Sequence, residues 1–332
     1  KGNKYKLKEG MEEEYVENLL AQVLTYKKMG INVPYTGVYN EPVHSNGNGR
    51  SMTPAQMVII VKRLGQRLAE EGLSTKIHVP EDLSLSQAML YIKPLLADPE
   101  ARKYIGVLSY HAYEEVYADQ PADAILNTSG QGNPPVAGVA LRAELKQLSK
   151  QYGIPVWMTE VSGTTGAPHK VSLAGANHIH DELTLADASL LVPEAFIEYA
   201  YEGQGESSLN ELIKVMLDSA GNYKTHKIEK KGYMLSQYAK FVRPGDVRVD
   251  AQSSDKKIRV TAFKNPSTGE IKIVAINNHA SSIKIQVNIA GAAGTITVLK
   301  GLRTSANENW APVVPSVSGS TMTLVLAPES IT

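Results

Sequence analysis

Apolar residues recur along the chain at two spacings, one typical of helices and the other of strands. In residues 11–29 they fall three or four positions apart, which predicts an amphipathic helix that ends at Gly30. Residues 53–72 have the same spacing, with Thr53 as a candidate N-cap and Pro54 at the first helical position. Short apolar, β-branched runs between such segments predict buried strands.

Strands and helices alternate as far as about residue 230. The predicted strands are residues 31–39, 75–80, 105–113 and 154–162, with a weaker one near 207–213. This alternation predicts parallel strands joined by right-handed helical crossovers, in either an open doubly wound sheet or a closed eight-stranded barrel. No GxGxxG or GxxxxGK[ST] motif follows any of these strands, so a nucleotide-binding fold is not favoured.

Near residue 245 the spacing changes to strict alternation of β-branched and polar residues, as in KIRVTAF at 257–263 and TMTLVLAP at 321–328. Glycine, asparagine, serine and proline separate these segments, which is typical of an antiparallel β-sandwich. We therefore expect two domains, an α/β domain over residues 1–244 and a β-sandwich domain over residues 245–332.

Composition and charge narrow the class of protein. The chain has 332 residues, of which 42% are hydrophobic, and can bury a sizeable core. Lysine plus arginine and aspartate plus glutamate both number 34, so no global field favours nucleic acid or an anionic membrane. The absence of cysteine excludes disulfides, thiolate nucleophiles and cysteine-ligated metals. Sixteen tyrosines suit wet surfaces that stack against a ligand, such as sugar-binding grooves.

Two predicted strands end in a glutamate, Glu41 in TGVYNEP and Glu160 in VWMTEVS. A third ends with His111 and Tyr113. In a parallel barrel the carboxyl ends of the strands share one face, where catalytic residues lie. Hydrolysis of a glycosidic bond uses one carboxylic acid to protonate the leaving oxygen and one carboxylate to attack or to activate water. The pair therefore predicts glycosidase chemistry, while a single strand-end glutamate could also be a salt-bridged residue of the barrel rim.

These motifs resemble glycoside hydrolase family 30 of clan A, whose fold is a barrel with a fused β-sandwich. TGVYNEP is similar to the family's fourth strand, VLSYHAY at 107–113 to its sixth, and VWMTEVSG at 156–163 to its seventh. The most family-specific match is GYMLSQYAKFVRPGDVRV at 232–249, which resembles the segment from the last barrel helix into the sandwich. The resemblance runs from about residue 11 to the C-terminus.

The resemblance implies a retaining enzyme with Glu41 as the general acid/base and Glu160 as the nucleophile, their carboxyl groups about 5 to 5.5 Å apart. It also implies that Asn40 donates a hydrogen bond to the sugar 2-hydroxyl, that His111 lines the subsite and that Tyr113 hydrogen-bonds Glu160. Such chemistry needs Glu41 protonated at the working pH and Glu160 ionised. The resemblance implies no metal and no other cofactor.

The chain departs from the family in its number of barrel strands. The expected fold is a (β/α)8 TIM-barrel type that lacks its first three βα units, plus an antiparallel β-sandwich. Three explanations stay open: the chain is a fragment of a longer polypeptide, a second chain completes the barrel, or the chain is a natural truncation with a rearranged barrel. We favour a missing N-terminal fragment or a completing partner, because an open sheet would expose apolar strand edges.

The expected function is retaining hydrolysis of a β-linked polysaccharide or oligosaccharide, with xylan and β-glucan among the candidate substrates. We expect no nucleic-acid or membrane partner. Polysaccharides are too large to import, so we expect a secreted or periplasmic protein whose signal peptide is not part of this sequence. The alternative is a catalytically inactive, carbohydrate-binding member of the family, whose incomplete barrel assembles no site.

Other polar and apolar segments have structural interpretations. Glu81, in VPED, also ends a predicted strand, and we expect it to be structural or to contact substrate. His178 and His180 alternate in NHIHDE, where an extended segment would turn both to one side as in a metal site, but a polar loop is favoured. The apolar spacing of residues 187–203 is that of a packed helix.

Overall fold

The computed structural model describes residues 6–43, 51–113, 136–161, 168–193, 195–202, 211–291, 297 and 300–332. The chain forms two compact units. The first comprises Lys1–Ala118, Pro135–Val161 and Leu185–Pro193, and the second comprises Asp119–Pro134, Ser162–Thr184 and Glu194–Thr332. The division at residue 245 into an α/β domain and a sandwich domain stays a prediction.

The first unit alternates helices with strands. Its strands are β1 Tyr35–Gly37, β2 Lys76–Asp82, β3 Ile105–His111, β4 Val156–Glu160 and β5 Leu190–Leu191. Its helices are α1 Glu12–Lys28, α2 Pro54–Glu70, α3 Leu85–Ala97, α4 Pro99–Arg102 and α5 Val136–Tyr152. The predicted helix at residues 53–72 is confirmed, and the Thr53 and Gln56 side chains form a reciprocal capping box at its start.

The five strands of the first unit pair in parallel in the order β1-β2-β3-β4-β5. A doubly wound sheet reverses its strand order at a switch point, whereas neighbouring strands of a TIM barrel follow one another in sequence. The sequential order therefore favours the barrel type of the two architectures that the strand pattern left open. In the described part of the chain, β1 pairs with β2 and β5 pairs with β4, so these five strands form an open segment of sheet.

The sheet curves enough for its first and fourth strands to meet on the concave side. The rings of Tyr35 on β1 and Trp157 on β4 lie 4.7 Å apart, edge to face. Gly106 on β3 leaves the space for this contact, because a Cβ there would lie 3.0 Å from the Tyr35 ring and 2.5 Å from the Lys76 Cβ. Trp157 is thus a packing residue of the sheet.

One apolar core joins the helices of the first unit to its sheet. Helix α2 carries a buried stripe at the helical spacing predicted for it: Met57, Ile60, Val61, Leu64 and Leu68. The strands contribute continuous apolar runs, typical of parallel strands that are covered on a face by helices. Their fully buried side chains are Ile77, Val79, Val107, Leu108 and Val156.

The second unit contains two further helices, α6 Pro168–Asp181 and α7 Lys230–Ala239, with a π-helical turn at Glu182–Ala186 that spans the division between the units. Strands β6 Ile197–Tyr201, β7 Ile213–Leu217 and β8 Tyr223–Ile228 form a three-stranded sheet. The remaining strands are β9 Val247–Val249, β10 Ile258–Lys264, β11 Ile271–Asn277, β12 Ile283–Asn288, β13 Gly301–Arg303, β14 Ala311–Val313, β15 Ser316–Ser318, β16 Thr321–Leu326 and β17 Ser330–Ile331.

Antiparallel sheets of the second unit pack as the predicted sandwich. One sheet has the order β17-β11-β10-β9 and the other β12-β16-β15, with β13 and β14 pairing separately. Ile258 and Ala275 of the first sheet share a core with Leu324 and Leu326 of the second. Ile276, next to Ala275, points to the opposite face and joins a core with the side chains of α6 and α7.

Two predictions of local structure are wrong. The described residues within 187–203 include β5 and β6 and no helix, and Pro193 lies between the two strands. The predicted strand near 207–213 lies mostly outside the described residues; Ile213 begins β7, and β5 is the fifth strand of the described parallel sheet. His178 and His180 lie in helix α6 rather than in a loop. An apolar run can fit both the spacing of a helix and that of a strand, so the surrounding core decides which of the two forms.

Among the described residues, no helix is both long enough and apolar enough to cross a membrane.

The packing of α2 gives a prediction at Gly65. A Cβ at this position would lie 2.0 Å from the Tyr104 ring. Gly65→Ala gains about 1 kcal/mol in helix propensity, but overpacking a core costs about 1–3 kcal/mol. We therefore expect Gly65→Ala to lower the free energy of unfolding of the first unit, measured by differential scanning calorimetry and urea denaturation.

Gly175 in α6 provides the matched control, because a Cβ at this position would have no other atom within 4 Å. Gly175→Ala is expected to raise the free energy of unfolding by up to about 1 kcal/mol. The double variant Gly65→Ala, Tyr104→Ala should recover part of the loss caused by Gly65→Ala. A Gly65→Ala protein as stable as the wild type would contradict the packing argument.

Candidate active site

The carboxyl ends of β1 to β4 bring a group of ionisable side chains together. Glu41 follows β1, Glu81 lies near the end of β2, His111 ends β3, and Glu160 ends β4. The pairing of β3 with β4 sets His111 opposite Glu160. Because parallel strands point the same way, their carboxyl ends meet at one edge of the sheet.

His111 is the centre of the cluster and is 1% exposed. Its Nδ1 atom lies 2.9 Å from Glu41 Oε1 and 3.6 Å from Glu160 Oε1. Its Nε2 atom lies 3.8 Å from Glu81 Oε2. Both ring nitrogens thus face carboxylate oxygens. A positively charged imidazole suits this arrangement, because it carries a hydrogen on each nitrogen.

Glu160 is oriented from two directions. The Tyr113 hydroxyl donates a hydrogen bond to Glu160 Oε1 at 3.0 Å. The Glu160 main-chain carbonyl accepts the N–H of Ala112 at 3.0 Å, which fixes the end of β4 against the end of β3. The side chain of Glu160 is 27% exposed, so it keeps access to solvent.

The two catalytic candidates are close together. One carboxylate oxygen of Glu41, one of Glu160 and a ring nitrogen of His111 all lie within 4.8 Å of one another. The carboxylates of retaining glycosidases are about 5–5.5 Å apart, and those of inverting enzymes are about 6.5–9.5 Å apart. The closest oxygens of Glu41 and Glu160 are thus nearer to the retaining spacing than to the inverting one.

Glu81 belongs to the cluster, although its sequence context did not identify it as a site residue. Its Oε1 atom accepts a hydrogen bond from the Thr159 hydroxyl at 2.8 Å and lies 3.2 Å from His78 Nδ1. Its side chain is 15% exposed, the same as that of Glu41. Only the strand-end position of Glu81 in VPED could have indicated its place in the site.

The backbone joins Glu41 to Glu81. The Glu41 N–H donates to the Glu81 carbonyl at 2.8 Å. Both residues have left-handed backbone angles, φ +51° for Glu41 and +60° for Glu81. A residue with a Cβ adopts this conformation at a cost of order 1 kcal/mol, and such residues concentrate at functional sites. The two strained positions therefore direct both side chains toward His111.

The charges of the cluster shift the pKa values of its members. Burial lowers the pKa of His111, but the hydrogen bond with Glu41 and the charges of Glu81 and Glu160 outweigh it and raise the pKa to about 9. Burial raises the pKa of Glu81, but its contacts with His111 and His78 hold it well below its usual range. His111 is therefore charged, and Glu81 ionised, at neutral pH.

Asp82 anchors the chain beyond Glu41. Its carboxylate accepts the N–H of Leu83 at 2.8 Å and the N–H of Val43 at 3.3 Å. Burial and the nearby charge of Glu41 raise the pKa of Asp82 to about 6, although the two N–H groups and the charge of His111 oppose the shift. Asp82 thus ties the segment that carries Glu41 to the end of β2.

The Glu41, His111 and Glu160 cluster offers two carboxylates and an imidazole within reach of one another, groups that can exchange protons with a bound substrate.

The remaining candidates lie elsewhere. Asn40 is exposed one residue before Glu41, and no contact with the cluster is seen in the described part of the chain. His178 and His180 lie on helix α6, where residues two apart point to different sides. His180 Nδ1 is hydrogen-bonded to the Thr261 hydroxyl at 2.8 Å. The pair therefore makes no metal corner.

Comparisons with known proteins were made for the sequence and for the fold. The model of the glycosyl hydrolase family 30 beta sandwich domain matches residues 245–332. Glucuronoxylanase XynC of Bacillus subtilis strain 168 is 24% identical over 329 residues, which cover 96% of this chain and 64% of that protein. The chain therefore spans just under two thirds of the length of this relative.

Solved structures share the fold. The family 30 subfamily 8 xylanase Xyn30A from Clostridium acetobutylicum superposes with a TM-score of 0.72 at 22% identity, covering 98% of this chain and 72% of that one. A family 30 endoxylanase from Clostridium papyrosolvens C71 gives a TM-score of 0.72 at 22% identity, covering 98% of this chain and 71% of that one. The TIM-barrel type with a β-sandwich is thus confirmed as the fold class.

The sandwich match, the sequence similarity along almost all of the chain and the shared fold agree with one another: residues 245–332 belong to the glycosyl hydrolase family 30 beta sandwich domain, and the chain as a whole is similar to enzymes of glycoside hydrolase family 30.

Proposed function

We propose that this chain is a retaining glycoside hydrolase that cleaves a β-linked polysaccharide by double displacement. Glu41 acts as the general acid/base and Glu160 as the nucleophile. The observation that supports this most directly is the approach of the two carboxylates to within 4.8 Å, with a ring nitrogen of His111 inside the same distance of both. Carboxylates this close together suit a retaining mechanism better than an inverting one.

In the first step Glu41 protonates the departing glycosidic oxygen while a Glu160 carboxylate oxygen bonds to the anomeric carbon. The aglycone leaves with the proton, and a covalent glycosyl ester forms on Glu160. In the second step Glu41, now ionised, takes a proton from water, whose oxygen displaces Glu160 from the anomeric carbon. The hydrogen bond from the Tyr113 hydroxyl holds the attacking carboxylate in place and favours its ionised form.

Xylan is the first substrate to test, because the relatives are a glucuronoxylanase and xylanases. A secreted or periplasmic location goes with a polymeric substrate, and a structural neighbour from Bacteroides fragilis is described as a conserved exported protein. The catalytically inactive alternative gains no separate support from the comparisons.

A substrate panel tests the proposal. We expect the protein to release reducing sugar from glucuronoxylan or linear xylan in preference to β-1,3-glucan, β-1,6-glucan and galactan. The initial product should keep the β configuration in proton NMR spectra. Binding in calorimetry without any release of reducing sugar would contradict the proposal and favour the inactive alternative. Mass spectrometry and size-exclusion chromatography of the same sample determine whether the active species is the 36.0 kDa chain alone.

Glu160→Gln is expected to reduce kcat by at least about 10⁴-fold, because the amide cannot form the glycosyl ester. The change keeps the size of the side chain, so circular dichroism should be that of the wild type. Glu144→Gln, at an exposed carboxylate of α5 that pairs with Lys93, is the matched control and should keep full activity. Turnover by Glu160→Gln would remove Glu160 from the nucleophile's role.

Glu41→Ala is expected to lose most activity on substrates with poor leaving groups and less on aryl β-glycosides, whose departure needs little protonation. Added azide should restore turnover of the aryl glycoside by attacking the glycosyl ester in place of activated water. The product should be the β-glycosyl azide, identified by NMR. Formation of the α-azide, or no rescue at any concentration, would assign Glu41 another role.

A further inference from the structure

Glu81 is a third carboxylate in the cluster, and the double displacement mechanism does not use it. It is buried, its backbone is strained, and it contacts the ring of His111 from the side opposite Glu41. Carboxylates repel one another, so a third anion beside a catalytic pair costs free energy unless a cation offsets it. Two imidazoles can offset the charge of Glu81, His78 beside its Oε1 and His111 beside its Oε2, and His111 is the one that also contacts Glu41.

The two ring nitrogens of His111 define what Glu81 can do. A neutral imidazole has one N–H and one lone pair, so with carboxylates at both nitrogens one of them would face a lone pair. The protonated ring donates from both nitrogens. Nδ1–H then points to Glu41 Oε1 at 2.9 Å, and Nε2–H points toward Glu81 Oε2 at 3.8 Å.

The protonation of Nδ1 decides how the ring acts on Glu41. When Nδ1 carries a hydrogen, it donates to Oε1 of Glu41 and holds that side chain in place. When Nδ1 has a lone pair, it offers Glu41 no donor. An anion near Nε2 favours the protonated ring, which keeps a hydrogen on both nitrogens.

Glu81 is held in position for this role. The Thr159 hydroxyl and His78 contact its other oxygen at 2.8 and 3.2 Å. Its left-handed backbone turns the side chain toward His111, and its carbonyl accepts the N–H of Glu41. Strain of this kind persists where the surrounding structure maintains it for function.

We propose that Glu81 is a positioning residue that acts through His111, holding the imidazole as a double N–H donor that keeps the Glu41 carboxyl group in place beside Glu160. The effect of Glu81 on catalysis rests on the proposed function. Its effect on His111 can be measured without any activity. The low pKa of Glu81 and the raised pKa of His111 agree with it.

Ionisable groups from four elements face His111 and contribute to its titration. They are Glu41 after β1, Glu81 and Asp82 of β2, Tyr113 after β3, and Glu160 of β4. Removing the charge of Glu81 leaves the other carboxylates in place. The titration midpoint of His111 should therefore fall, but it should stay above that of a histidine with no acid nearby.

The first test is an NMR titration of histidine-labelled protein, with the His111 signal assigned by its loss in His111→Asn. In Glu81→Gln, which keeps the shape of the side chain, the midpoint of His111 should fall by at least about one pH unit. In Glu81→Asp the fall should be smaller, since the charge remains. Glu144→Gln should leave the midpoint unchanged. An unchanged midpoint in Glu81→Gln would overturn the proposal, whether or not the protein hydrolyses any substrate.

The second test is kinetic. Above the lowered midpoint, His111 of Glu81→Gln is neutral, so kcat at pH 7.5 should fall about tenfold or more with KM within about twofold. Near pH 5 the ring is protonated again, and the loss should shrink to less than about threefold. A loss that is equal at both pH values would indicate a merely structural role and contradict the proposal.

A double-variant cycle completes the test. If Glu81 acts through His111, Glu81→Gln should cost little further kcat in a His111→Asn background. Additive losses would mean that Glu81 acts by another route and would overturn the proposal. Should Glu81→Gln fail to fold, Glu81→Asp is taken through the same titration and the same cycle, with a smaller but non-zero shift expected. If the wild-type protein is inactive but Glu81→Gln still lowers the His111 midpoint, the proposed function alone is refuted.

Discussion

A buried imidazole between carboxylates is the interaction on which the site depends. His111 is almost completely buried, and a charge in the protein interior is tolerated only with partners of opposite sign. Glu41, Glu81 and Glu160 provide them from three different strands. In return the imidazolium offsets the mutual repulsion of these carboxylates, so the acids can approach as closely as the proposed double displacement requires.

The parallel sheet makes this arrangement possible. Its in-order strand pairing brings the carboxyl ends of β1 to β4 to one edge, and its curvature, marked by the contact between Tyr35 and Trp157, turns them inward. The strained backbones of Glu41 and Glu81 and their direct hydrogen bond then direct two of the acids to the ring. The scaffold thus supplies the rigidity that catalytic geometry requires.

Sequence motifs identified Glu41, His111, Tyr113 and Glu160, because a polar residue at the end of an apolar run stands out locally. Glu81 has the same strand-end position but no neighbouring motif, and its contacts with His111, Thr159 and Glu41 join residues that only folding brings near. The error at residues 187–203 has a physical cause. Short apolar runs fit both a strand and a helix, and the surrounding core decides which one forms.

By itself, the sequence determined the alternation of strands and helices, the change to a period of two near residue 245, and the presence of an acid at the end of two buried strands. These are local properties, set by spacing along the chain. Tertiary structure alone decided that Glu41 and His111, 70 positions apart, share a hydrogen bond, and that Glu81 faces the same ring. Distances between strand ends depend on register and sheet curvature, which arise from long-range pairing that no short segment encodes.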